Sequence, residues 1–275
     1  MPELPEVETI RRSLTEKLAG LTIDNLDIYF EKIVKEPTDI DRFKEIVTGK
    51  KIKGLDRLGK YLLLQLSDNY IIVIHLRMTG RLLYVADYED VTKHTHLIFH
   101  LGNNYHLRFV DVRKFGTIYL LKDNELDTIK GLAHLGPEPL SENFTAQVFA
   151  DSLKKKSKKI KQVLLDQDIV AGLGNIYADE VLFESHILPD RPANSLKAEE
   201  VEELYKSIIK IIKEAIDHRG TTFSDYVDGE GKKGEHQDHL KVYQRTEQPC
   251  SRCQCPIKKE KIAGRSSHYC PGCQH

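Results

Sequence analysis

Short apolar runs separated by turn-forming residues dominate the first half of the chain. The runs KYLLLQL, YIIVIHL, HTHLIFHL, YHLRFVD and GTIYLL alternate with polar segments such as SDN and GNN. Runs of this length and spacing are typical of antiparallel strands in a sandwich or barrel. Residues 1–133 are therefore predicted to form a β domain, led by one helix whose first turn contains Pro5.

The apolar period changes after a short segment rich in proline and glycine. HLGPEPLSENF, at residues 134–144, is predicted to be a hinge. From there on apolar side chains recur at helical spacing, as in KAEEVEELYKSIIKIIKEAIDHRG. A helical domain is predicted for residues 145–238, and its last part, RGTTFSDYVDGEGKKGEHQ, is predicted to be a long polar loop. Residues 239–275 form a small unit that carries cysteines.

All five cysteines of the chain lie in that last unit. Cys250 and Cys253 form one CxxC pair, Cys270 and Cys273 form another, and 16 residues separate them. Four thiolates at this spacing predict one tetrahedral Zn²⁺ in a zinc ribbon, and four protein ligands make the ion structural. Cys255 has the weaker spacing and is predicted to be a bystander thiol. Clustered cysteines in odd number favour metal binding over disulfides, and hence a cytoplasmic protein.

The charge distribution refines this picture. The formal net charge of the 275 residues is -1, which excludes a uniformly basic nucleic-acid binder. Basic residues are nevertheless concentrated late in the chain, as in KKKSKKIK at residues 154–161. The ribbon sequence KKEKIAGRSSHY predicts a hairpin with Gly264 and Arg265 at its turn, suited either to phosphate contact or to plain solvation. The first 20 residues do not resemble a signal peptide, and no stretch has the ~20 apolar residues of a membrane span.

Four separated stretches carry a resemblance to a known family. They are MPELPEVET at the start, DVRKFG at 111, LLDQDIVAGLGNIYADEVLF at 164 and GRSSHYCPGCQ at 264. Together they resemble the bacterial formamidopyrimidine-DNA glycosylases from end to end. The resemblance implies an α+β fold: an N-terminal helix plus antiparallel β-sandwich domain, a helix, two turns, helix domain and a C-terminal zinc ribbon. It also implies that damaged double-stranded DNA binds in a cleft between the domains.

The resemblance implies a reaction and four catalytic residues. The family's enzymes are bifunctional DNA glycosylases and apurinic-site lyases that excise oxidised purines, such as 8-oxoguanine and formamidopyrimidines. Their nucleophile is an N-terminal proline, which is Pro2 here once Met1 is removed. An α-amino group has a pKa of about 8, about two units below that of lysine, so a far larger fraction of it than of a lysine amine is free base at neutral pH. Glu3 matches the proton donor, Lys60 the acid of β-elimination, and Arg265 the residue of δ-elimination.

The resemblance also implies a set of side chains that enters the duplex. Extruding a nucleotide costs a few kcal/mol, and the gap left in the base stack must be filled. Met78 in HLRMTG, with Arg113 and Phe115 in DVRKFG, matches the family's inserted triad. Core packing is the alternative for Met78 and Phe115, and the flanking Arg113 and Gly116 favour the triad.

Further polar residues match the family's DNA contacts. Asn175 follows a GLG turn, where helix N-terminal amides would face a phosphate. Lys156 lies in a lysine run, and such runs are usually solvated faces. His94 could instead form a metal pair with His96, although no carboxylate or cysteine partner accompanies them. The candidates are His94, Lys156, Asn175 and Tyr243 for DNA, and Thr221 and Thr222 for the flipped base.

The chain departs from the family pattern in its ribbon. Where the family usually has YGR.G.PC, this chain has YQRTEQPC, so Gln244 and Glu247 stand at glycine positions. Cys255 also replaces a common glycine. Because glycine tolerates a positive φ more readily than these residues, altered ribbon geometry is expected here.

Two other functions remain as alternatives. One is an oxidised-pyrimidine glycosylase similar to endonuclease VIII, which PELPEV and the proposed triad disfavour. The other is a non-catalytic zinc-ribbon nucleic-acid binder, which would need none of Pro2, Glu3 and Lys60. A monomeric bacterial protein is expected, cytoplasmic and associated with the nucleoid through DNA.

Overall fold

The computed structural model describes residues 1–275. Contacts between residues divide the chain into two compact units. The first unit comprises residues 1–133 and 218–235, and the second comprises residues 134–217 and 236–275.

The first unit consists mainly of strands, as the apolar runs predict. Its helices are α1 (Leu4–Leu18), α2 (Ile40–Val47) and α3 (Lys130–Ala133). Its strands are β1 (Ile23–Ile28), β2 (Val34–Glu36), β3 (Ile52–Leu58), β4 (Tyr61–Leu66), β5 (Tyr70–His75), β6 (Gly80–Ala86), β7 (Thr95–Leu101), β8 (Tyr105–Asp111) and β9 (Thr117–Lys122). The five predicted apolar runs are β4, β5, β7, β8 and β9.

These strands form two sheets over one core. The strand orders are β1-β7-β8-β6 and β2-β9-β5-β4-β3. All pairs are antiparallel except β2 with β9. Phe99 and Phe109 of one sheet and Ile72 and Ile74 of the other are fully buried in the same cluster. The predicted helix-led antiparallel sandwich is confirmed.

Helix α1 begins at the very start of the chain. Glu3 is its N-cap, Pro5 lies in its first turn, and the Glu6 carboxylate accepts a hydrogen bond from the Glu3 N–H at 2.8 Å. This is half of a capping box, which fixes how the chain enters the helix. The side chains at helical spacing that anchor α1 in the core are Val7, Ile10, Leu14 and Leu18.

The polar segment at residues 218–235 packs with the first unit, whereas the sequence grouped it with the helical domain. The Tyr226 hydroxyl donates to the Glu6 carbonyl at 3.3 Å, and the Gly229 N–H donates to Ser13 Oγ at 3.0 Å. Tyr226 is buried. One buried aromatic ring and a series of hydrogen bonds to α1 thus replace the apolar periodicity that this segment lacks.

The second unit contains the predicted helices, α4 (Ala146–Leu153), α5 (Ile160–Leu164), α6 (Asn175–Glu184) and α7 (Ala198–Asp217). Two turns join α5 to α6. The Gln167 amide orders them, since it donates to the Leu173 carbonyl at 2.8 Å and accepts from the Gly172 N–H at 3.0 Å. The predicted helix, two turns, helix motif is confirmed. No helix combines the length and apolar character that crossing a membrane requires.

The ribbon carries the hairpin of β10 (Lys258–Ile262) and β11 (Arg265–Tyr269). Ile262 pairs with Arg265, so Ala263 and Gly264 form the two-residue turn, with φ of 49° and 81°. Positive φ at both positions is the requirement of a type I′ turn. The turn therefore lies one position earlier than the sequence predicted, and Arg265 is the first residue of β11.

Gln244 and Glu247 both adopt the left-handed backbone that favours glycine, with φ of 59° and 65°. Each side chain therefore adds strain of about 1–2 kcal/mol, and the backbone keeps a glycine-like conformation. Cys255 itself does not have a positive φ, although the preceding Gln254 does, at 65°.

Candidate active site and DNA-binding surfaces

The start of the chain is buried in the first unit. Pro2 is buried and Glu3 is 3% exposed. Glu6 is also buried, and its carboxylate joins two distant segments: Oε2 accepts the Glu3 N–H at 2.8 Å, and Oε1 accepts the Thr221 N–H at 2.7 Å. A single carboxylate therefore holds the polar loop against the N-terminus.

Two glycines allow the loop to approach Glu6 so closely. Gly220 has a φ of 76°, and a Cβ there would lie 2.8 Å from Glu6 Oε1. A Cβ on Gly234 would lie 2.1 Å from the Gly220 carbonyl oxygen. The Thr222 hydroxyl then closes the loop, because it accepts the Gly234 N–H at 2.9 Å and donates to the Tyr226 carbonyl at 3.0 Å.

A second buried carboxylate orders the far side of the loop. Asp228 is 1% exposed, and its Oδ1 accepts the N–H groups of Glu230 and Lys232, both at 2.9 Å. The Arg219 guanidinium pairs with its other oxygen. The loop is therefore an ordered polar structure without helix or strand, and it carries both candidate base-binding threonines.

Lys60 lies in the turn between β3 and β4 and is 7% exposed. The Arg57 guanidinium fixes this turn, since it donates to the Gly59 carbonyl at 3.0 Å and to Glu8 on α1 at 3.1 Å. The turn that contains Lys60 is thus tied to α1, which begins two residues after Pro2. The structure places three predicted catalytic residues, Pro2, Glu3 and Lys60, in the first unit.

The Glu8 carboxylate that binds Arg57 is ionised at neutral pH. Burial would raise the pKa of Glu8, but hydrogen bonds from Arg11, Arg12 and Arg57 lower it to about 2. The carboxylate therefore stays ionised over the whole neutral range, and Arg57 keeps its partner.

His75 packs next to the Lys60 turn as a neutral ring. It pairs with Tyr61 across β4 and β5, and the two rings meet edge to face at 4.5 Å. His75 Nδ1 accepts the Arg77 N–H at 2.9 Å, which leaves the ring proton on Nε2. Burial, followed by the charges of Arg77 and Lys60, lowers the pKa of His75 to about 3. At neutral pH the His75 ring is therefore uncharged, and it does not repel a positive charge on Lys60.

Met78, Arg113 and Phe115 lie on two loops of the first unit. Met78 is 42% exposed and Phe115 is 51% exposed, so core packing does not account for them. The Arg113 guanidinium stacks over the Phe115 ring at 4.7 Å. An exposed thioether, ring and guanidinium are suited to entering a base stack.

Asp111 ties these two loops together, a role that the sequence analysis missed. It is fully buried; Oδ1 accepts the Arg113 N–H at 3.1 Å and the Thr79 hydroxyl, and Oδ2 accepts the Gly116 N–H at 2.8 Å. Gly116 is required because a Cβ there would lie 2.3 Å from the Phe109 ring. The available signal was an acid at the end of an apolar strand, two residues before the motif's arginine.

His94 and His96 flank the same loops. The His94 carbonyl accepts the Asp111 N–H at 2.9 Å, and His96 Nε2 bonds to the Asp111 carbonyl at 2.7 Å. His96 is buried at 3% exposure and His94 is half-buried. His96 thus has a structural partner in the backbone of Asp111.

The remaining candidates lie in the second unit. Asn175 is the first residue of α6, and its Nδ2 donates to the Ser266 carbonyl at 3.0 Å. Lys156 is half-buried between α4 and α5, where its carbonyl accepts the Asn194 N–H at 3.0 Å. Besides the zinc ligands, this unit contains the DNA-binding candidates Lys156, Asn175 and Tyr243 and the catalytic candidate Arg265.

Glu180 of α6 fixes the entrance to the ribbon. It is fully buried, and its carboxylate accepts three consecutive backbone N–H groups, those of Lys241 at 2.8 Å, Val242 at 3.0 Å and Tyr243 at 2.8 Å. Burial raises the pKa of Glu180, although these bonds favour the ionised form. The backbone of Tyr243 is therefore positioned by α6.

The four predicted zinc ligands converge. Their sulfur atoms all lie within 4.8 Å of one another, with Cys250 Sγ 3.7 Å from Cys273 Sγ and Cys253 Sγ 3.4 Å from Cys270 Sγ. Tetrahedral Zn–S bonds of about 2.3 Å place the sulfur atoms about 3.8 Å apart. The cysteines are free thiols, and the cluster fits one structural Zn²⁺.

Cys255 borders this cluster without joining it. Its Sγ lies 2.8 Å from the point where a Cβ on Gly272 would be, and Cys253 Sγ lies 3.0 Å from the same point. Cys255 is not in the set of mutually close ligand atoms.

Comparison with known proteins decides the family. Residues 1–118 match the Formamidopyrimidine-DNA glycosylase N-terminal domain, and residues 135–227 match the Formamidopyrimidine-DNA glycosylase H2TH domain. A formamidopyrimidine-DNA glycosylase of Desulforamulus reducens is 50% identical over 275 residues, which cover 100% of this chain and 99% of the relative. The chain belongs to the formamidopyrimidine-DNA glycosylase family.

Solved structures of that family agree with the fold described above. A complex of a Lactococcus lactis Fpg mutant with Fapy-dG containing DNA matches with a TM-score of 0.94 and 39% identity, covering 100% of both chains. A complex of Lactococcus lactis Fpg with abasic-site DNA matches with a TM-score of 0.93 and 39% identity, covering 99% of both.

The zinc ligands of this family member can be tested by thiol substitution. Cys253→Ser should lose zinc, because serine is a poor zinc ligand and three thiolates leave the tetrahedron incomplete. Cys255→Ser should keep one zinc per chain. The metal content of the purified variants measures both effects. Equal zinc loss in the two variants would show that the ligand set is wrong.

The neutral state of His75 predicts a loss of stability in acid. Its folded-state pKa of about 3 lies below the unfolded value of 6.5, so stability is fully present above pH 6.5 and falls as the pH drops toward 3. His75→Asn keeps an acceptor for the Arg77 N–H. Between pH 6.5 and pH 4.5 the free energy of unfolding should fall by about 2 kcal/mol less in this variant than in the unsubstituted protein.

Urea unfolding at both pH values measures this difference. His275→Asn, at the exposed C-terminal residue, serves as a control for the loss of one histidine. An unchanged pH dependence in His75→Asn would contradict a buried neutral ring.

Proposed function

We propose that this chain is a bifunctional DNA glycosylase and apurinic-site lyase with Pro2 as its nucleophile. It removes oxidised purines, such as 8-oxoguanine and formamidopyrimidines, from damaged double-stranded DNA. Membership of the family and the likeness to Lactococcus lactis Fpg bound to lesion-containing DNA support this activity. The assignment of individual residues rests on their match to the family pattern and on the geometry above.

One observation carries the proposal: the Glu6 carboxylate binds the Glu3 N–H and the Thr221 N–H together. One carboxylate therefore joins the residue directly after the nucleophile to the loop assigned to the flipped base. A protein that only binds DNA has no need to bury its first residues against such a loop.

The first step uses the chemistry of a secondary amine. Removal of Met1, which is 45% exposed, frees the Pro2 nitrogen. Its lone pair bonds to C1′ of the damaged nucleotide, and the base leaves with the electrons of the glycosidic bond and takes up a proton. Glu3 donates a proton to the deoxyribose ring oxygen as the ring opens. The resulting iminium has no N–H to lose and stays cationic.

The cation then drives strand cleavage. Loss of a proton from C2′ expels the 3′ phosphate, and this β-elimination is assisted by Lys60 as the acid. A second elimination expels the 5′ phosphate, assisted by Arg265. The neutral His75 beside Lys60 leaves the Lys60 ammonium without a neighbouring imidazolium.

The exposed triad fills the space that the extruded nucleotide leaves. Met78 and Phe115 supply apolar contact to the neighbouring bases, and Arg113 supplies hydrogen-bond donors for the orphaned cytosine. Thr221 and Thr222 contact the flipped base. The residues that contact the DNA backbone are His94, Lys156, Asn175 and Tyr243.

The proposal divides the chain into a catalytic domain at 1–133, a hinge at 134–144, a DNA-binding domain at 145–238 and a ribbon at 239–275. Within the third part, residues 218–235 pack with the first unit and supply the loop for the flipped base. The four cysteines hold a structural zinc that stabilises the ribbon and takes no part in the reaction. We expect a monomer in the bacterial cytoplasm, associated with the nucleoid through DNA.

A blocked N-terminus tests the role of Pro2. A Gly-Ser extension ahead of Pro2 replaces its amine with an amide, and nicking of an 8-oxoguanine duplex should fall by at least about a thousandfold. Affinity for a duplex with a tetrahydrofuran abasic analogue, measured by gel shift, should change by less than about threefold because the phosphate contacts remain.

Proteolytic removal of the extension should restore nicking and serves as the matched control. Nicking at the normal rate by the extended protein would overturn the assignment of Pro2.

A further inference from the structure

The second unit contains a fully buried ion pair that the proposed chemistry leaves unexplained. Lys161 of α5 and Asp179 of α6 are 2.6 Å apart, with side chains only 1% and 0% exposed. Desolvating two charges is costly, and apolar residues of similar size often stabilise such a site as well or better. We therefore expect the pair to fix the geometry of the elements that it contacts.

Both charged groups reach the same strand of the ribbon. Lys161 Nζ donates to the Ser266 carbonyl and to Ser267 Oγ, both at 2.8 Å. Asp179 Oδ2 accepts two hydrogen bonds from His268, from the backbone N–H at 2.9 Å and from the ring Nδ1 at 3.1 Å. Three consecutive residues of β11 are thus bound to the pair.

Asn175 adds a further bond at the same place. Its Nδ2 donates to the Ser266 carbonyl at 3.0 Å, so that carbonyl accepts hydrogen bonds from both α5 and α6. Asn175 is also the residue assigned to a DNA phosphate. The polar contacts of the helix, two turns, helix motif therefore converge on the residue next to Arg265.

Arg265 is the residue that this arrangement positions. It is exposed at the start of β11, beside the Ala263–Gly264 turn. A two-stranded hairpin is marginally stable by itself and needs packing or external hydrogen bonds to hold its place. The bonds to Ser266, Ser267 and His268 supply this support directly behind Arg265.

We propose that the Lys161–Asp179 pair positions Arg265 for δ-elimination by holding β11 against α5 and α6. The proposal rests on the role assigned to Arg265 above. Lys161 and Asp179 are positioning residues, since neither is exposed to DNA. Displacing a reacting group by about 1 Å can cost a hundredfold in rate, so a loosened strand should slow the step that Arg265 assists.

Replacing both charges with apolar residues tests this role without leaving a lone buried charge. Lys161→Met combined with Asp179→Leu fills similar space and removes every side-chain bond from the pair to β11. On a labelled duplex with an abasic site, δ-elimination should slow at least about tenfold relative to β-elimination. The first nick should change by less than about threefold, because Pro2, Glu3 and Lys60 are untouched.

The measured quantity is the ratio of 3′-phosphate ends to 3′-unsaturated aldehyde ends. Arg191→Met combined with Glu200→Leu is the matched control, because that ion pair lies in the same unit and its side-chain hydrogen bonds do not reach β11. The control should keep the normal ratio. Amide hydrogen exchange at residues 266–269 should accelerate at least about tenfold in the Lys161 and Asp179 variant alone.

An unchanged ratio in the folded, zinc-loaded double variant overturns the proposal. If that variant does not fold, His268→Phe is the milder test: it removes only the ring bond to Asp179 and should shift the ratio about threefold in the same direction. An unchanged ratio there also overturns the proposal.

Arg265→Gln separates this inference from the proposed function. It should reproduce the loss of δ-elimination. If it leaves the ratio unchanged, the role of Arg265 and the positioning inference both fail, while nicking through Pro2 stands.

Discussion

The functional loops of this protein depend on buried carboxylates that accept backbone N–H groups. Glu6 holds the N-terminus and the polar loop, Asp111 holds the loops of the exposed triad, and Asp228 orders the far side of the polar loop. Asp179 and Glu180 do the same for the ribbon. A buried carboxylate is costly unless hydrogen bonds compensate its desolvation, so each acid requires a defined loop geometry around it.

This arrangement explains how irregular segments can carry precise chemistry. Loops lack the repeating backbone bonds of helices and strands, and every buried N–H that loses its acceptor costs about 1–3 kcal/mol. A carboxylate with two or three such donors therefore makes an irregular conformation as specific as a regular element. In the ribbon a Zn²⁺ held by the four cysteines would add a further restraint, and Glu180 and Asp179 of α6 bind the ribbon backbone within the same unit.

The sequence predicted the elements whose signals are local. Apolar runs marked β4, β5, β7, β8 and β9, helical periodicity marked the helices of the second unit, and the CxxC spacing marked the metal ligands. It missed what distant contacts decide. Glu6 binds Thr221, 215 positions away, and Asp179 binds His268, 89 positions away. Such pairings leave no periodic pattern, which is also why the packing of the polar loop with the first unit could not be predicted. The roles of Pro2 and the triad came only from the resemblance to a family.

The proposed reaction depends on a bond between the imino group of Pro2 and the sugar of the lesion. The most direct test adds borohydride while the enzyme acts on a duplex that contains 8-oxoguanine, so that the iminium between enzyme and sugar is reduced to a stable amine. Peptide mass spectrometry of the enzyme–DNA conjugate then locates the attached residue. We expect the sugar remnant on the nitrogen of Pro2. Attachment to Lys60 or to any other lysine would contradict it.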